Sequence, residues 1–149
     1  MTDLPYLDKA PKNERDWLEA LVKLARYLRT PGGCPWDRAQ TSRDFARFAQ
    51  DEAKEYLEAF EGESDDDHIA EELGDCLFTL FASMVAGEEE GRFTVLDALR
   101  GAHDKMVRRH AHVFADDPAA TPEDAVAAWE RVKAEEKRRK GKPGSSLTE

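Results

Sequence analysis

Two short acidic stretches, "DEAKE" at 51–55 and "EELGD" at 71–75, carry the clearest chemical signal in this sequence. Glu52 and Glu55 stand three residues apart, as do Glu72 and Asp75, so each pair shares one face of a helix. Phe45, Phe48, Glu52, Glu55 and Ala59 follow alternating spacings of three and four, the period of a buried bundle seam. If the two stretches form a helical hairpin, Glu52 and Asp75 lie equally far from its midpoint, and so do Glu55 and Glu72. Four carboxylates then converge within about one turn. Each like-charge pair at about 4 Å repels by about 4 kcal/mol at an effective dielectric near 20, and burial adds a desolvation cost. A divalent cation relieves both. An all-oxygen donor set suits hard Mg²⁺, with Mn²⁺ as a substitute. A di-iron bundle would need Glu-x-x-His on two helices, and none occurs. The alternative is a solvated acidic face. Asp51 and Glu71 sit beside the expected ligands and would support them. Asp65, Asp66, Asp67, Glu88, Glu89 and Glu90 read as solvated acids.

A cationic group follows in "KMVRRHAHVF" at 105–114, where Lys105, Arg108 and Arg109 share one helix face. Arginine suits two-point contact with phosphate and lysine a point-charge contact. The same cations could instead complement the helix C-terminal dipole. His110 and His112 have no nucleophile motif beside them and read as structural or as modest phosphate contacts. Trp36 and Trp129 are candidates for stacking on a base, against the alternative of ordinary core packing. Lys133 lies one turn after Trp129 on the same face.

Five helices must position these groups. The first spans about 13–29, with Trp17, Leu18, Leu21, Leu24, Ala25 and Leu28 at helical spacing. "TPGGCPWD" breaks it. The second begins at Thr41 or Ser42, where "TSRD" resembles a capping box, and runs to about Phe60. The third covers about 66–86 after a turn capped by Ser64 or an Asp. It is apolar nearly all round, which places it at the centre of a bundle. The fourth opens at Thr94 and reaches about Arg109. The fifth opens at "TPED", with a threonine cap and Pro122 in its first turn. The fold class is all-α, an antiparallel bundle of about five helices with a four-helix core. Residues 1–12 read as an N-terminal extension, 13–140 as the domain and 141–149 as a flexible tail.

The chain has 149 residues, 40% hydrophobic and 36% charged, which fits one soluble domain and not a disordered chain. No apolar run approaches the roughly 20 residues that span a bilayer. The N-terminus lacks the pattern of a secretory signal. Cys34 and Cys76 form no CxxC and no disulfide framework, which fits a reducing cytoplasm. The net charge of −10 argues against a nucleic-acid binder, although a divalent metal could bridge an acidic protein to a polyanion. The region 51–90 is strongly acidic, whereas "RVKAEEKRRKGK" at 131–142 is basic.

"GCPWDRAQT" at 33–41, "DEAKE" at 51–55, "EELGDCLF" at 71–78, "EEEGRF" at 88–93, "KMVRRHAHVF" at 105–114 and "AAWERVKAEEK" at 127–137 occur in an order and spacing that resemble the MazG family. These are all-α nucleoside triphosphate pyrophosphohydrolases. The likeness covers about residues 13–140; each motif alone is weak, and six in order are specific. The family's EExxE and ExxD motifs fall on Asp51, Glu52, Glu55, Glu72 and Asp75. Asp51 replaces a Glu, at a position the resemblance does not make a ligand. Ala111 stands where the family's turn carries Pro, which implies a looser turn. The resemblance further implies a homodimer that completes the bundle. It also implies that Trp36, Lys105, Arg108, Arg109, Trp129 and Lys133 approach the nucleotide, some of them from the partner subunit.

The expected reaction is Mg²⁺-dependent hydrolysis of a nucleoside or deoxynucleoside triphosphate at the α–β anhydride, giving the monophosphate and pyrophosphate. Glu52, Glu55, Glu72 and Asp75 would hold the metal, and one of them would act as general base. No Walker P-loop and no covalent nucleophile motif is present. A house-cleaning enzyme acting on dUTP or damaged nucleotides is one form of this reading. The competing class is a non-catalytic helical interaction module whose acids form a docking face.

Overall fold

A computed structural model describes residues 4–141, and among them every regular element is a helix. The helices are α1 (Glu14–Leu28), α2 (Pro35–Ala39), α3 (Ser42–Glu61), α4 (Asp66–Glu89), α5 (Val95–Arg109), α6 (Ala111–Phe114) and α7 (Pro122–Lys140). The chain divides into two compact units, Met1–Val95 and Leu96–Glu149. The expected tail at 141–149 lies outside the described residues except for Gly141.

In the first unit, polar caps set where the long helices begin. The Asn13 side chain accepts from the Asp16 N–H at 3.0 Å. Thr41 and Asp44 form a reciprocal capping box, in which Thr41 Oγ1 accepts from the Asp44 N–H at 3.1 Å and Asp44 Oδ2 from the Thr41 N–H at 2.8 Å. Asp65 caps α4 by accepting from the His68 N–H at 2.9 Å. Asp65, exposed as expected, thus also serves as the cap of α4. Gly91, at φ +71°, closes α4 in the left-handed region that favours glycine.

The helices α3 and α4 form a hairpin, and α1 packs along α4. Arg26 pairs with Glu88 and Arg29 with Glu89, so the C-terminal ends of α1 and α4 lie side by side. Two clusters fill the interior. Ala25, Val85 and Val95 form one, with Val22, Phe78 and Met84 packed against it. Phe45, Ala82 and Ala86 form the other, joined by Phe48. Full burial of a side chain such as Phe45 or Val85 contributes about 1.5–3 kcal/mol.

Three expectations need correction in this unit. The break at "TPGGCPWD" holds a single helical turn, α2. Leu73 and Leu80 are 41% and 51% exposed, so α4 is not enclosed on all sides. Glu88, Glu89 and Glu90 are not free solvated acids. Glu88 accepts from Arg26 and from the Val95 N–H, Glu89 from Arg29, and Glu90 from Ser42 and Arg92. The α4 helix runs three residues beyond its expected end and uses these acids to tie down neighbouring segments.

In the second unit, Thr121 and Asp124 form another capping box and Pro122 opens α7. The short α6 packs on α7. With Ala111 at its start, the turn 110–114 is hydrogen-bonded: His110 C=O accepts from the Val113 and Phe114 N–H groups at 2.9 and 3.1 Å. A Glu136 carboxylate on α7 ties α5 to α7 by accepting from both Arg108 and Arg109.

Candidate metal centre and cationic cleft

The seam of α3 presents Phe45 and Phe48 first and Glu52 and Glu55 next. The turn at 62–65 brings Glu72 of α4 opposite. One carboxylate oxygen from each of Glu52, Glu55 and Glu72 lies within 4.8 Å of the other two. Glu52 and Glu72 are part-buried, and Glu55 is exposed. Asp75 is exposed and stands outside this group of three, although its charge reaches Glu52.

The electrostatics carry the mark of crowding. Burial pushes the Glu52 carboxyl above its ordinary value, and the charges of Glu55, Asp75, Glu72 and Asp51 push it further. The Cys76 thiol is likewise raised, by burial first and then by Glu52, Glu72 and Asp75. Glu72 Oε2 is buried and has no hydrogen-bond partner. An acceptor in that state normally costs about 1–3 kcal/mol. Its other oxygen lies 3.6 Å from His68 Nε2, beyond hydrogen-bond range. Three convergent carboxylates, one of which keeps a buried oxygen without a donor, make a donor set that a hard divalent cation fits. His68 went unremarked in the sequence, although its spacing to Glu71 and Glu72 places it on their face. Its Nδ1 is 3.8 Å from Glu71 Oε2.

Trp36, on α2, is 55% exposed. Its indole stacks on Phe48 with ring centroids 5.5 Å apart at 30°, and meets Phe45 edge-on at 6.2 Å. One face of the ring is thus fixed against the aromatic seam that leads to Glu52.

The remaining expected substrate contacts belong to the second unit. Lys105, Arg108 and Arg109 line a cleft with Arg131, Arg139 and Glu136. Arg108 Nε and Arg109 Nη2 donate to the two oxygens of Glu136 at 2.6 and 2.9 Å. These hydrogen bonds, those of Arg109 foremost, hold the Glu136 carboxyl below its usual range. The Arg109 guanidinium also lies 5.4 Å from the Trp129 ring centroid. His110 packs edge-on to Trp129 at 5.3 Å, and its Nδ1 meets the Met106 carbonyl at 2.5 Å. Lys133 pairs with Glu130 at 3.3 Å. The expected basic face therefore exists, but both arginines already hold a carboxylate. Among the described residues, no helix is long and apolar enough to cross a membrane.

A profile of the MazG nucleotide pyrophosphohydrolase domain matches residues 40–114, half of the chain. A Thermotoga maritima protein named nucleoside triphosphate pyrophosphohydrolase/pyrophosphatase MazG is 39% identical over 122 residues, which cover 82% of this chain and 46% of that protein. The nucleoside triphosphate pyrophosphohydrolase of Escherichia coli K12 is 40% identical over 124 residues, 83% of this chain and 47% of that one. A Bacillus subtilis protein named uncharacterized protein YabN is 45% identical over 114 residues, 76% of this chain and 23% of its own length. The chain thus spans from 23% to 47% of the length of these curated relatives. No solved structure matches it significantly.

Proposed function

The chain belongs to the MazG nucleotide pyrophosphohydrolase family, and on that premise we propose that it hydrolyses nucleoside triphosphates at the α–β anhydride, releasing pyrophosphate. The observations that carry the reading are the convergence of one carboxylate oxygen each from Glu52, Glu55 and Glu72 and, on Glu72, a buried oxygen that no protein donor satisfies. These three, with Asp75 at the exposed edge, would hold a divalent cation, Mg²⁺ or Mn²⁺. When bound, the ion supplies positive charge against the polyphosphate and acidifies water.

The chain's own residues do the rest. A carboxylate of the acidic set takes the proton of the attacking water. Trp36 offers the free face of its indole to the base, in the way aromatic side chains hold bases without reading their edges. In the second unit, Lys105, Arg108 and Arg109 are the proposed phosphate contacts, the arginines once they exchange Glu136 for phosphate oxygens. Trp129 and Lys133 extend that contact. Leu57 and Phe60 on α3 and Leu73 and Leu80 on α4 remain exposed, and a second copy of the chain would cover them as a homodimer. A house-cleaning role on non-standard nucleotides fits the same chemistry.

A panel of standard, deoxy and damaged triphosphates, scored for pyrophosphate release with and without Mg²⁺, tests the reading. Metal-dependent release that is lost in Glu72→Ala with helicity intact is the expected result. Release that survives in Glu72→Ala would refute the site.

A further inference from the structure

Besides the packing of Trp36 on Phe45 and Phe48, the segment that carries it is held by few bonds of its own, among them Cys34 N–H to the Leu28 carbonyl at 2.7 Å and Gln40 Nε2 to the Trp36 carbonyl at 3.1 Å. The α2 helix is a single turn of five residues with no buried side chain and no side-chain cap at Cys34. Helices this short do not persist unaided. A further restraint, at the C-terminal end of the turn, comes from Arg29, just past the end of α1. Its side chain is 9% exposed. Nη1 donates to the carbonyls of Asp37 and Gln40 at 2.6 and 3.0 Å, the two carbonyls where α2 ends. Nε donates to Glu89 Oε2 at 2.6 Å, which balances the buried charge. The neighbouring Glu90 accepts from the N–H and Oγ of Ser42, both at 2.7 Å, and so fixes the far end of the same segment. The last turn of α4 therefore grips residues 29–42 at both ends, while Trp36 lies between the grips against Phe48.

We infer that Arg29, seated on Glu89, is a positioning residue for substrate: it fixes the α2 turn so that the Trp36 indole is already in place when the nucleotide arrives. A platform fixed beforehand loses less conformational freedom on binding than a mobile one. The inference rests on the reading of Trp36 as the surface that meets the base. Arg29 touches neither substrate nor metal in this account. Its loss should weaken binding without changing the chemical step, which is a rise in KM at constant kcat.

Arg29→Lys is the discriminating variant. It keeps the charge beside Glu89, but a lysine lacks the planar fork that spans a carboxylate and two carbonyls. Pyrophosphate release at saturating Mg²⁺ should show KM raised about tenfold, within the range that base–aromatic stacking contributes, with kcat within about twofold of the parent. Amide hydrogen exchange should rise in the 34–41 peptide, with little change in the α3 and α4 peptides. In a Trp36→Ala background, Arg29→Lys should raise KM no further, because the group it positions is gone.

If Trp36→Ala raises KM and Arg29→Lys does not, the positioning role is wrong and the Trp36 platform stands. If Trp36→Ala leaves KM unchanged, the platform reading fails and this inference fails with it. If the two effects add, or kcat falls with exchange raised throughout the first unit, Arg29 merely supports the fold and the inference is overturned. Should Arg29→Lys not fold, Glu89→Gln carries the same expectation, and unchanged KM and exchange in that variant overturn it.

Discussion

Glu52→Gln should stabilise the metal-free protein while removing the response of its stability to Mg²⁺. Glu52, Glu55 and Glu72 each place an oxygen within 4.8 Å of the others. At that separation a pair of unit charges repels by about 0.9 kcal/mol at the dielectric of water and by about 3.5 kcal/mol at an effective dielectric near 20. Glu55 is exposed, so the water-like end of that range applies to it. Removing the Glu52 charge relieves two such pairs, about 2 kcal/mol in all at the water-like end, which in a chain of this length is a rise in Tm of about 4–8 °C. The pH dependence has the same origin. Burial and like charges raise the Glu52 carboxyl in the folded state. The folded state therefore binds a proton more readily than the unfolded one, and the metal-free parent should gain stability as pH falls from neutral through that raised value. Glu52→Gln should flatten this gain. Mg²⁺ inverts the comparison, because a cation that binds only the folded state adds stability by mass action. Circular-dichroism melts in EDTA and across an Mg²⁺ titration, at several pH values, read every term. A Glu52→Gln variant less stable than the parent in EDTA, with both proteins gaining equally from Mg²⁺, would refute the reasoning.

Phe45 is 2% exposed under Ala82 and Ala86, so Phe45→Ala should cost about 3–5 kcal/mol in urea unfolding. Gly33→Ala would set a Cβ 2.3 Å from the Tyr27 carbonyl oxygen and 2.4 Å from that of Leu28. Backbone oxygens cannot move aside freely, so a loss of about 1–3 kcal/mol is expected in the same assay. The hydrogen bonds from Ser42, backbone first, hold the Glu90 carboxyl at about 2 against an ordinary 4.5. Its contribution to stability is present above the ordinary value and is lost as pH falls toward about 2. Glu90→Gln should therefore be less stable at neutral pH and lose less stability through that acid window, as acid-titration melts would show.

The helices were legible wherever a cap and a period agreed. Thr41 with Asp44, and Thr121 with Asp124, announced their helices because a capping box satisfies two N–H groups with residues three apart. The carboxylate cluster was legible for the same reason, since Glu52, Glu55 and Glu72 are set by helical spacing and one short turn. What escaped notice depends on groups far apart in sequence. The α2 turn has no periodicity of its own, and a further restraint on it arrives from Arg29 and, through it, from Glu89. Glu88, Glu89 and Glu90 look like solvated acids until α1 and the start of α3 are brought to them. Leu73 and Leu80 fit a central helix by composition, but the described unit does not cover them. The pairing of Arg108 and Arg109 with Glu136 spans 28 and 27 residues, beyond the reach of any local pattern.

The proposed activity requires a divalent cation held between α3 and α4. Diffraction from crystals grown with Mn²⁺ and a non-hydrolysable triphosphate, recorded at the manganese absorption edge, tests this most directly. An anomalous peak bonded to Glu52, Glu55 and Glu72, with phosphate oxygens completing its coordination, is the predicted result. Nucleotide bound with no anomalous peak among those carboxylates would contradict it.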